Sequence, residues 1–197
     1  MVAEQLGFLH VDSGSLYRAA TAAALRVAPD AAKWTDEIVL GAARSVLLAP
    51  GRTSFYPAIG GQSIDEEIRG ENVTRNVSAV AKMQRVRDWV NACVLKAAEA
   101  HDVVVDGRDM GTAVFPRAKL KVFLVADAEE RARRRLLQRG EEVSTERLEE
   151  ETRAINERDA RDSTQTQPAG DAVVIDTTRL TREEQVRKIV ALARDKP

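Results

Sequence analysis

The chain has 197 residues, of which 44% are hydrophobic and 31% are charged, and its formal net charge at pH 7 is −1. This balance is typical of a globular domain long enough to bury a core, and it excludes a disordered chain. The net charge gives no reason to expect nucleic acid or an anionic membrane as a partner. No apolar run approaches the roughly 20 residues of a membrane span.

The first part of the chain alternates predicted strands with predicted helices. Residues 8–11 are a predicted strand that ends at Asp12, and an amphipathic helix follows it. A second amphipathic helix is predicted for residues 34–48. Turns and a hairpin arm are predicted for residues 49–63, which contain prolines and glycines. Residues 64–81 are mixed and polar and do not indicate one element.

The middle of the chain contains the clearest helical pattern. Residues 84–100 carry valines at helical spacing, and residues 103–105 are an apolar strand of the kind buried on both faces of a parallel sheet. The single cysteine, Cys93, lies within this helix and is predicted to be a small buried side chain. One cysteine cannot form an internal disulfide, which fits a reducing cytoplasm.

Two further strands, at residues 120–126 and 172–175, are also predicted to be buried, and each precedes a helix. Start and stop signals delimit these helices. The signals are a capping box at Asp127 and Glu130, a stop at Gly140, a start at Ser144 for a helix to about residue 161, and a capping box at Thr181 and Glu184. The alternation of strands and helices predicts an α/β fold with a parallel sheet.

Charged side chains follow two of the predicted strands. Asp12 ends the first strand, and the second is followed by residues 106–112, D-G-R-D-M-G-T. Ligands of open α/β sheets bind at the carboxyl ends of the strands. An acid at this position suits a magnesium-nucleotide site, and an arginine suits phosphate. The alternative is turn chemistry, because Asp, Ser and Gly are favoured in any strand-to-helix loop.

Two charge-rich stretches lie nearer the C-terminus. Residues 158–162, R-D-A-R-D, are typical by composition of a solvated helix face. Residues 131–139 contain five arginines, which could form a nucleic-acid patch. Apolar residues at helical spacing and the lack of interleaved aromatic residues favour a packed helix instead, whose arginines suit a lid over polyphosphate. Two distant histidines and one cysteine give no reason to expect a zinc site.

These motifs resemble those of the bacterial cytidylate kinases, which are P-loop nucleoside monophosphate kinases, over essentially all 197 residues. The resemblance rests on five stretches. They are residues 10–18 (HVDSGSLYR), 64–69 (IDEEIR), 106–112 (DGRDMGT), 129–134 (EERARR) and 157–159 (ERD). The resemblance implies a parallel sheet flanked by helices with a small α+β acceptor-binding insert. The core would comprise residues 1–39 and 85–197, with the insert at 40–84 and a lid around 131–161.

The resemblance also implies a reaction and its residues. The reaction is transfer of the ATP γ-phosphoryl group to CMP or dCMP, with Mg²⁺, in pyrimidine nucleotide metabolism. A cytoplasmic monomer with no nucleic-acid or membrane partner is implied. For the acceptor nucleotide, the implied roles are cytosine reading by Ser78, Arg87 and Asp109, pentose contact by Arg158 and Asp162, clamping of the phosphate by Arg18 and Arg108, and lining of the phosphate pocket by Ser13 and Tyr17. For the donor, Arg131 and Arg134 would contact the ATP phosphates. Asp12 would lie near the metal and the acceptor phosphate, and Asp12 and Asp106 would have an indirect metal role.

The chain departs from the family pattern in two places. No segment matches the P-loop motif G-x-x-x-x-G-K-[ST]. The strand that precedes the P-loop in the family also has no counterpart here; in the family it lies centrally, between the strands that correspond to those at 103 and 120. We therefore expect a fragment or a wrongly assigned start. The alternative is a degenerate kinase or non-catalytic CMP-binding module. A kinase for another small metabolite is disfavoured by Ser78, Arg87 and Asp109. Gln165 replaces a usual arginine in a short segment, so one phosphate contact is expected to be missing, with Arg161 as a partial substitute.

Overall fold

A computed structural model of the chain describes residues 1–162 and 166–195, with side chains for 1–160 and 166–195. The chain forms two compact units, Met1–Gly107 and Arg108–Pro197. Within the described residues, no helix has the length and apolar character needed to cross a membrane.

A pair of parallel strands lies at the centre of the first unit. Strand β1 (Leu9–Asp12) pairs with β5 (Val103–Asp106), and this register places Asp12 beside Asp106. On the other side of β1, the backbone N–H of His10 donates to the carbonyl of Thr53 at 3.0 Å. The predicted strand and its parallel pairing are thus confirmed, but residues 103–105 are half-buried rather than buried on both faces as predicted.

Five helices belong to the first unit. They are α1 (Val2–Leu6), α2 (Ser13–Val27), α3 (Asp36–Ala43), α4 (Glu71–Val80) and α5 (Gln84–Ala100), with 3₁₀ turns at Ala31–Lys33 and Glu67–Arg69. Helix α2 packs against α3, α4 and α5, and its Leu16 is fully buried. Helix α5 has the predicted bounds and buries the predicted valine face. Cys93 on α5 is half-buried rather than fully buried.

The prediction of a helix over residues 34–48 is wrong in its last part. Helix α3 ends at Ala43, and β2 (Val46–Pro50) forms an antiparallel sheet with β3 (Phe55–Ile59) and β4 (Gln62–Ser63). The apolar run that begins at Val46 suits a strand or a helix, and pairing with β3 decides between them. Helix α4 lies in the region where the sequence indicated no single element.

The second unit contains the other parallel pair and three helices. The elements are a π-helical turn (Met110–Val114), β6 (Val122–Val125), α6 (Ala128–Gln138), α7 (Thr145–Asp162), β7 (Val173–Asp176) and α8 (Arg182–Arg194). Helix α6 packs against α7 and is followed by Gly140 at φ 71°, as the stop signal predicted. The capping box of Thr181 and Glu184 is confirmed.

Two predictions for the second unit are wrong. Asp127 precedes α6 without a side-chain capping bond. The reciprocal bond of a capping box is also missing, because the N–H of Asp127 donates to the Thr178 hydroxyl at 3.1 Å and Glu130 accepts from Nε of Arg134 at 2.9 Å. Strands β6 and β7 are not buried on both faces, since Leu124 is 49% and Val174 is 57% exposed. Among the described residues this sheet has only two strands, which leaves part of its surface uncovered.

Candidate active site

Asp12 occupies the junction between β1 and α2. Its Oδ1 accepts from the backbone N–H of Ser15 at 3.2 Å, and the Ser15 hydroxyl donates to the Asp12 carbonyl at 2.6 Å. A Cβ at Gly14 would lie 3.0 Å from Oδ1 of Asp12, so a glycine leaves room for this carboxylate. The turn chemistry considered for Asp12 is therefore present, and it also fixes the carboxylate at the sheet edge.

Three titratable groups lie together at this edge. Burial, followed by the negative charge of Asp106, raises the pKa of Asp12. The ring Nε2 of His10 lies 3.1 Å from Oδ2 of Asp106, and this hydrogen bond raises the pKa of His10. Sequence reasoning missed His10 as part of the site, although alternation along β1 places it on the same face as Asp12. Two adjacent carboxylates favour a cation here.

Arg18 extends from α2 to the segment that carries α4. Its Nη1 donates to the carbonyl of Ile68 at 3.2 Å and to the hydroxyl of Thr74 at 3.0 Å. Thr74 lies one turn before the exposed Ser78 on α4. The structure therefore connects the predicted phosphate clamp to the helix of a predicted cytosine reader.

The other predicted residues of the first unit flank these contacts. Ser13 begins α2 and is 3% exposed, so its side chain is held within the unit. Tyr17 is half-buried on the same helix, and its carbonyl accepts from the Thr21 hydroxyl at 2.8 Å. Arg87 is half-buried in the first turn of α5.

In the second unit, arginines surround one carboxylate. Arg131 of α6 forms an ion pair with Asp159 of α7. This hydrogen bond, together with the charges of Arg131, Arg135 and Arg108, lowers the pKa of Asp159. Burial lowers the pKa of the Arg108 guanidinium, whereas Asp159 opposes that shift. Arg135 also contacts Glu151 at 3.4 Å, so these three guanidinium groups face two carboxylates and keep a small excess of positive charge, which suits an anion such as phosphate.

Sequence reasoning gave Arg135 and Asp159 no individual role, although both lie in the charge-rich stretches that it singled out. Their involvement could have been inferred in part, because Arg131 and Arg135 are four residues apart and therefore share a face of α6. Asp159 follows the predicted Arg158 directly, but no local pattern indicates which arginine pairs with it.

Arg134 has a different set of partners. Besides Glu130, it donates from Nη2 to the carbonyls of Thr177 at 2.6 Å and Thr178 at 3.2 Å. These bonds attach α6 to the loop that follows β7. The guanidinium of Arg134 is thus engaged in structural contacts, and its contact with ATP stays a prediction.

The remaining predicted residues are placed as follows. Asp109 precedes the π-helical turn, where its carbonyl accepts from the N–H of Ala113 at 2.8 Å. Arg158 is exposed on α7. Asp162 ends α7, but its side chain lies outside the described part of the chain, as do the side chain of Arg161 and the whole of Gln165. Ser78 and Arg87 belong to the first unit and Asp109 to the second.

Comparison with known proteins decides the family. The cytidylate kinase family model matches residues 1–195. A cytidylate kinase of Desulforamulus reducens is 41% identical over 199 residues, which cover 96% of this chain and 86% of the relative. Those of Caldicellulosiruptor bescii and Geobacillus kaustophilus are 37% and 39% identical, with 98% and 99% of this chain and 87% and 89% of the relatives covered.

The chain belongs to the cytidylate kinase family. This membership confirms the resemblance drawn from the motifs at residues 10–18 and 106–112. It also agrees with the observed α/β fold, in which helices flank parallel strands. Kinases are transferases, so family membership places the chain among the transferases by descent.

Proposed function

We propose that this chain catalyses transfer of the ATP γ-phosphoryl group to CMP or dCMP, giving CDP or dCDP. The observation that carries the proposal is the bond of Arg18 to α4, since it links a phosphate-binding side chain to the helix of Ser78. Family membership over residues 1–195 supports the same reaction. The proposed reaction belongs to pyrimidine nucleotide metabolism. The proposal includes a cytoplasmic location and a monomeric state.

The proposed acceptor site separates three recognition tasks. Ser78, Arg87 and Asp109 read cytosine, because a carboxylate accepts from the exocyclic amine and an arginine donates to the ring acceptors. Uracil reverses this donor and acceptor pattern and would leave buried groups unpaired. The other tasks are assigned to Arg158 and Asp162 for the pentose, Arg18 and Arg108 for the phosphate, and Ser13 and Tyr17 for the wall of the phosphate pocket.

The donor side of the proposal rests on Arg131 and Arg134. Arg131, Arg135 and Arg108 carry more positive charge than Asp159 and Glu151 neutralise, which supports a role for Arg131 beside the ATP phosphates. Arg134 is already bonded to Glu130 and to three backbone carbonyls, so it would orient α6 unless these bonds exchange. We therefore assign the direct contact to Arg131 before Arg134.

Magnesium is proposed as the cofactor, and the oxygen donors at the sheet edge fit it. Asp12 and Asp106 are neighbours in register, and Mg²⁺ prefers one or two carboxylates together with water and substrate phosphates. Among the described residues, no three His, Cys, Asp or Glu side chains are placed so that together they could hold a metal ion, so we propose an indirect role in which the two carboxylates accept from metal-bound water. When bound, Mg²⁺ neutralises charge on the phosphates.

The chemistry requires no covalent intermediate on the protein. Phosphoryl transfer is accelerated by alignment of donor and acceptor and by neutralisation of the equatorial oxygens. Arg18 and Arg108 would hold the acceptor phosphate, whereas Arg131 would neutralise charge on the transferred group. Asp12 would lie near the acceptor phosphate and the metal, where its carboxylate could accept from metal-bound water.

The second candidate is a CMP-binding module without kinase activity. The observation that favours it is the lack of G-x-x-x-x-G-K-[ST] in the 197 residues, because that motif supplies the amides and lysine that cradle ATP phosphates. Both candidates bind CMP, and only the kinase consumes ATP.

The test is ATP-dependent phosphorylation of CMP by the purified chain, with UMP as the control substrate and circular dichroism to verify folding. CMP-selective turnover supports the kinase, whereas CMP binding without turnover supports the module. Neither binding nor turnover by a folded chain would refute both. Asp109→Asn should reduce the preference for CMP over UMP, and Asp102→Asn, an exposed residue after α5, is the matched control.

A further inference from the structure

The hydrogen bonds of Arg18 use only one of its three nitrogens. Nη1 carries two N–H groups, and it has two acceptors, the Ile68 carbonyl at 3.2 Å and the Thr74 hydroxyl at 3.0 Å. Within the described part of the chain, neither Nε nor Nη2 of Arg18 has a hydrogen-bond partner. The guanidinium is therefore fixed at one end and available at the other.

The available edge has the geometry that an oxyanion requires. A guanidinium is a rigid planar fork, and its Nε–H and one Nη2–H point in parallel, so that together they can bind two oxygens of a phosphate. Two bonds to Nη1 from different elements define the plane of the fork. The Ile68 carbonyl is backbone, whereas the Thr74 hydroxyl is a side chain that substitution can remove.

We propose that Thr74 is a positioning residue that orients Arg18 for the acceptor phosphate. The inference rests on the proposed function, in which Arg18 binds that phosphate. Thr74 and Ser78 are four residues apart on α4, about 6 Å along the helix axis, and both are exposed. One helix therefore contributes a base contact directly and a phosphate contact through Arg18.

A positioning role differs from two other roles that the same hydrogen bond could have. If the bond only stabilises the fold, its loss weakens every ligand equally or none. If the phosphate has to displace Thr74 from Arg18, its loss strengthens CMP binding. If Thr74 orients Arg18, its loss weakens CMP and leaves cytidine, which has no phosphate, unchanged.

The experiment is isothermal titration of the 197-residue chain with CMP and with cytidine, in the absence of ATP. Thr74→Val removes the hydroxyl and keeps the β-branched shape, whereas Thr74→Ser keeps the hydroxyl. Asn76→Ala is the matched control on the same helix, because among the described residues the Asn76 amide donates only to the Asn72 carbonyl of α4, at 2.9 Å. Thermal unfolding verifies that each variant is folded.

We expect Thr74→Val to bind CMP about threefold to tenfold more weakly, the loss typical of one ordinary hydrogen bond, and to bind cytidine as the wild type does. Thr74→Ser should restore CMP affinity, and Asn76→Ala should leave both affinities unchanged. If Thr74→Val does not fold, Thr74→Ala replaces it with the same expected ratio.

Three results would overturn the inference. They are unchanged or tighter CMP binding by Thr74→Val, an equal loss for CMP and cytidine, and a wild-type chain that binds CMP no better than cytidine. The last result would refute the role of Arg18 and leave recognition of the nucleoside intact. A wild-type chain that binds neither ligand would instead refute the proposed function, on which the inference depends.

Discussion

Substitution of Asp159 by asparagine tests the charge balance of the second unit. The carboxylate pairs with Arg131 and lies within the field of Arg135 and Arg108, so Asp159→Asn removes one negative charge from among three guanidinium groups. The amide keeps the size of the side chain and one hydrogen-bond acceptor. The variant therefore isolates the charge from the packing.

The expected loss of stability follows from the exposure of the ion pair. The side chain of Asp159 is 49% exposed and that of Arg131 is 35% exposed, so solvent screens much of their attraction. Exposed pairs are worth roughly 0.2–1 kcal/mol, and renewed repulsion between the arginines places this case near the upper end. We expect a loss of about 1 kcal/mol, which corresponds to roughly 2–4 °C in Tm for a chain of this length.

Urea unfolding at pH 7 measures the difference, with Asp88→Asn as the matched control. The Asp88 carboxylate accepts from the Gln84 amide at 2.8 Å and has no arginine partner within the described part of the chain, so its variant should change stability by less than about 0.5 kcal/mol. The deficit of Asp159→Asn should decrease in 1 M NaCl, because salt screens exposed charges.

The pH dependence of the same deficit has a definite sign. The folded pKa of Asp159 is lowered, chiefly by the hydrogen bond from Arg131. Its stabilisation is therefore present above the unfolded pKa of about 3.9 and is lost as the pH falls through the folded pKa. A variant as stable as the wild type at pH 7, or a deficit that salt does not reduce, would refute the electrostatic reasoning.

Three further predictions concern the core, the sheet edge and the cysteine. Leu136→Ala should lower the free energy of unfolding in urea by about 2–5 kcal/mol, because Leu136 is 1% exposed. Leu137 is 62% exposed, so Leu137→Ala should lower it by less than about 0.5 kcal/mol. Similar losses of stability for the two variants would contradict the packing. Asp106→Asn should lower the pKa of His10, measured by NMR titration in metal-free buffer, and an unchanged value would contradict the hydrogen bond. Since the folded pKa of His10 is raised, the bond stabilises the fold below a pH of about 6.5 and ceases to do so as the pH rises through the folded pKa. Burial raises the pKa of the Cys93 thiol, so iodoacetamide should alkylate it more slowly in the folded chain than in urea, and equal rates would contradict its burial.

Much of the fold could be predicted because its signals are local. The valines of α5 recur within each turn, and the capping box of Thr181 and Glu184 spans four residues, so both are independent of distant parts of the chain. The same holds for the motifs at residues 10–18 and 106–112, which identified the family before any contact was known.

Elements with two possible partners could not be predicted in this way. The residues that begin at Val46 are apolar enough for a helix or a strand, and only the ladder with β3 makes them a strand. Glu130 could have bound the N–H of Asp127, but the Thr178 hydroxyl, 51 residues away in sequence, accepts from that N–H, and Glu130 pairs with Arg134. Burial of β6 depended on what covers it, which its own residues do not specify.

The sequence by itself determined the family, the α/β class and which residue types could bind a nucleotide. Tertiary structure decided which of those side chains contact one another, since Arg18 and Thr74 are 56 residues apart and Arg131 and Asp159 are 28 apart. Hydrogen bonds and ion pairs act over a few ångströms, so partners distant along the chain meet only where packing of the helices brings them together.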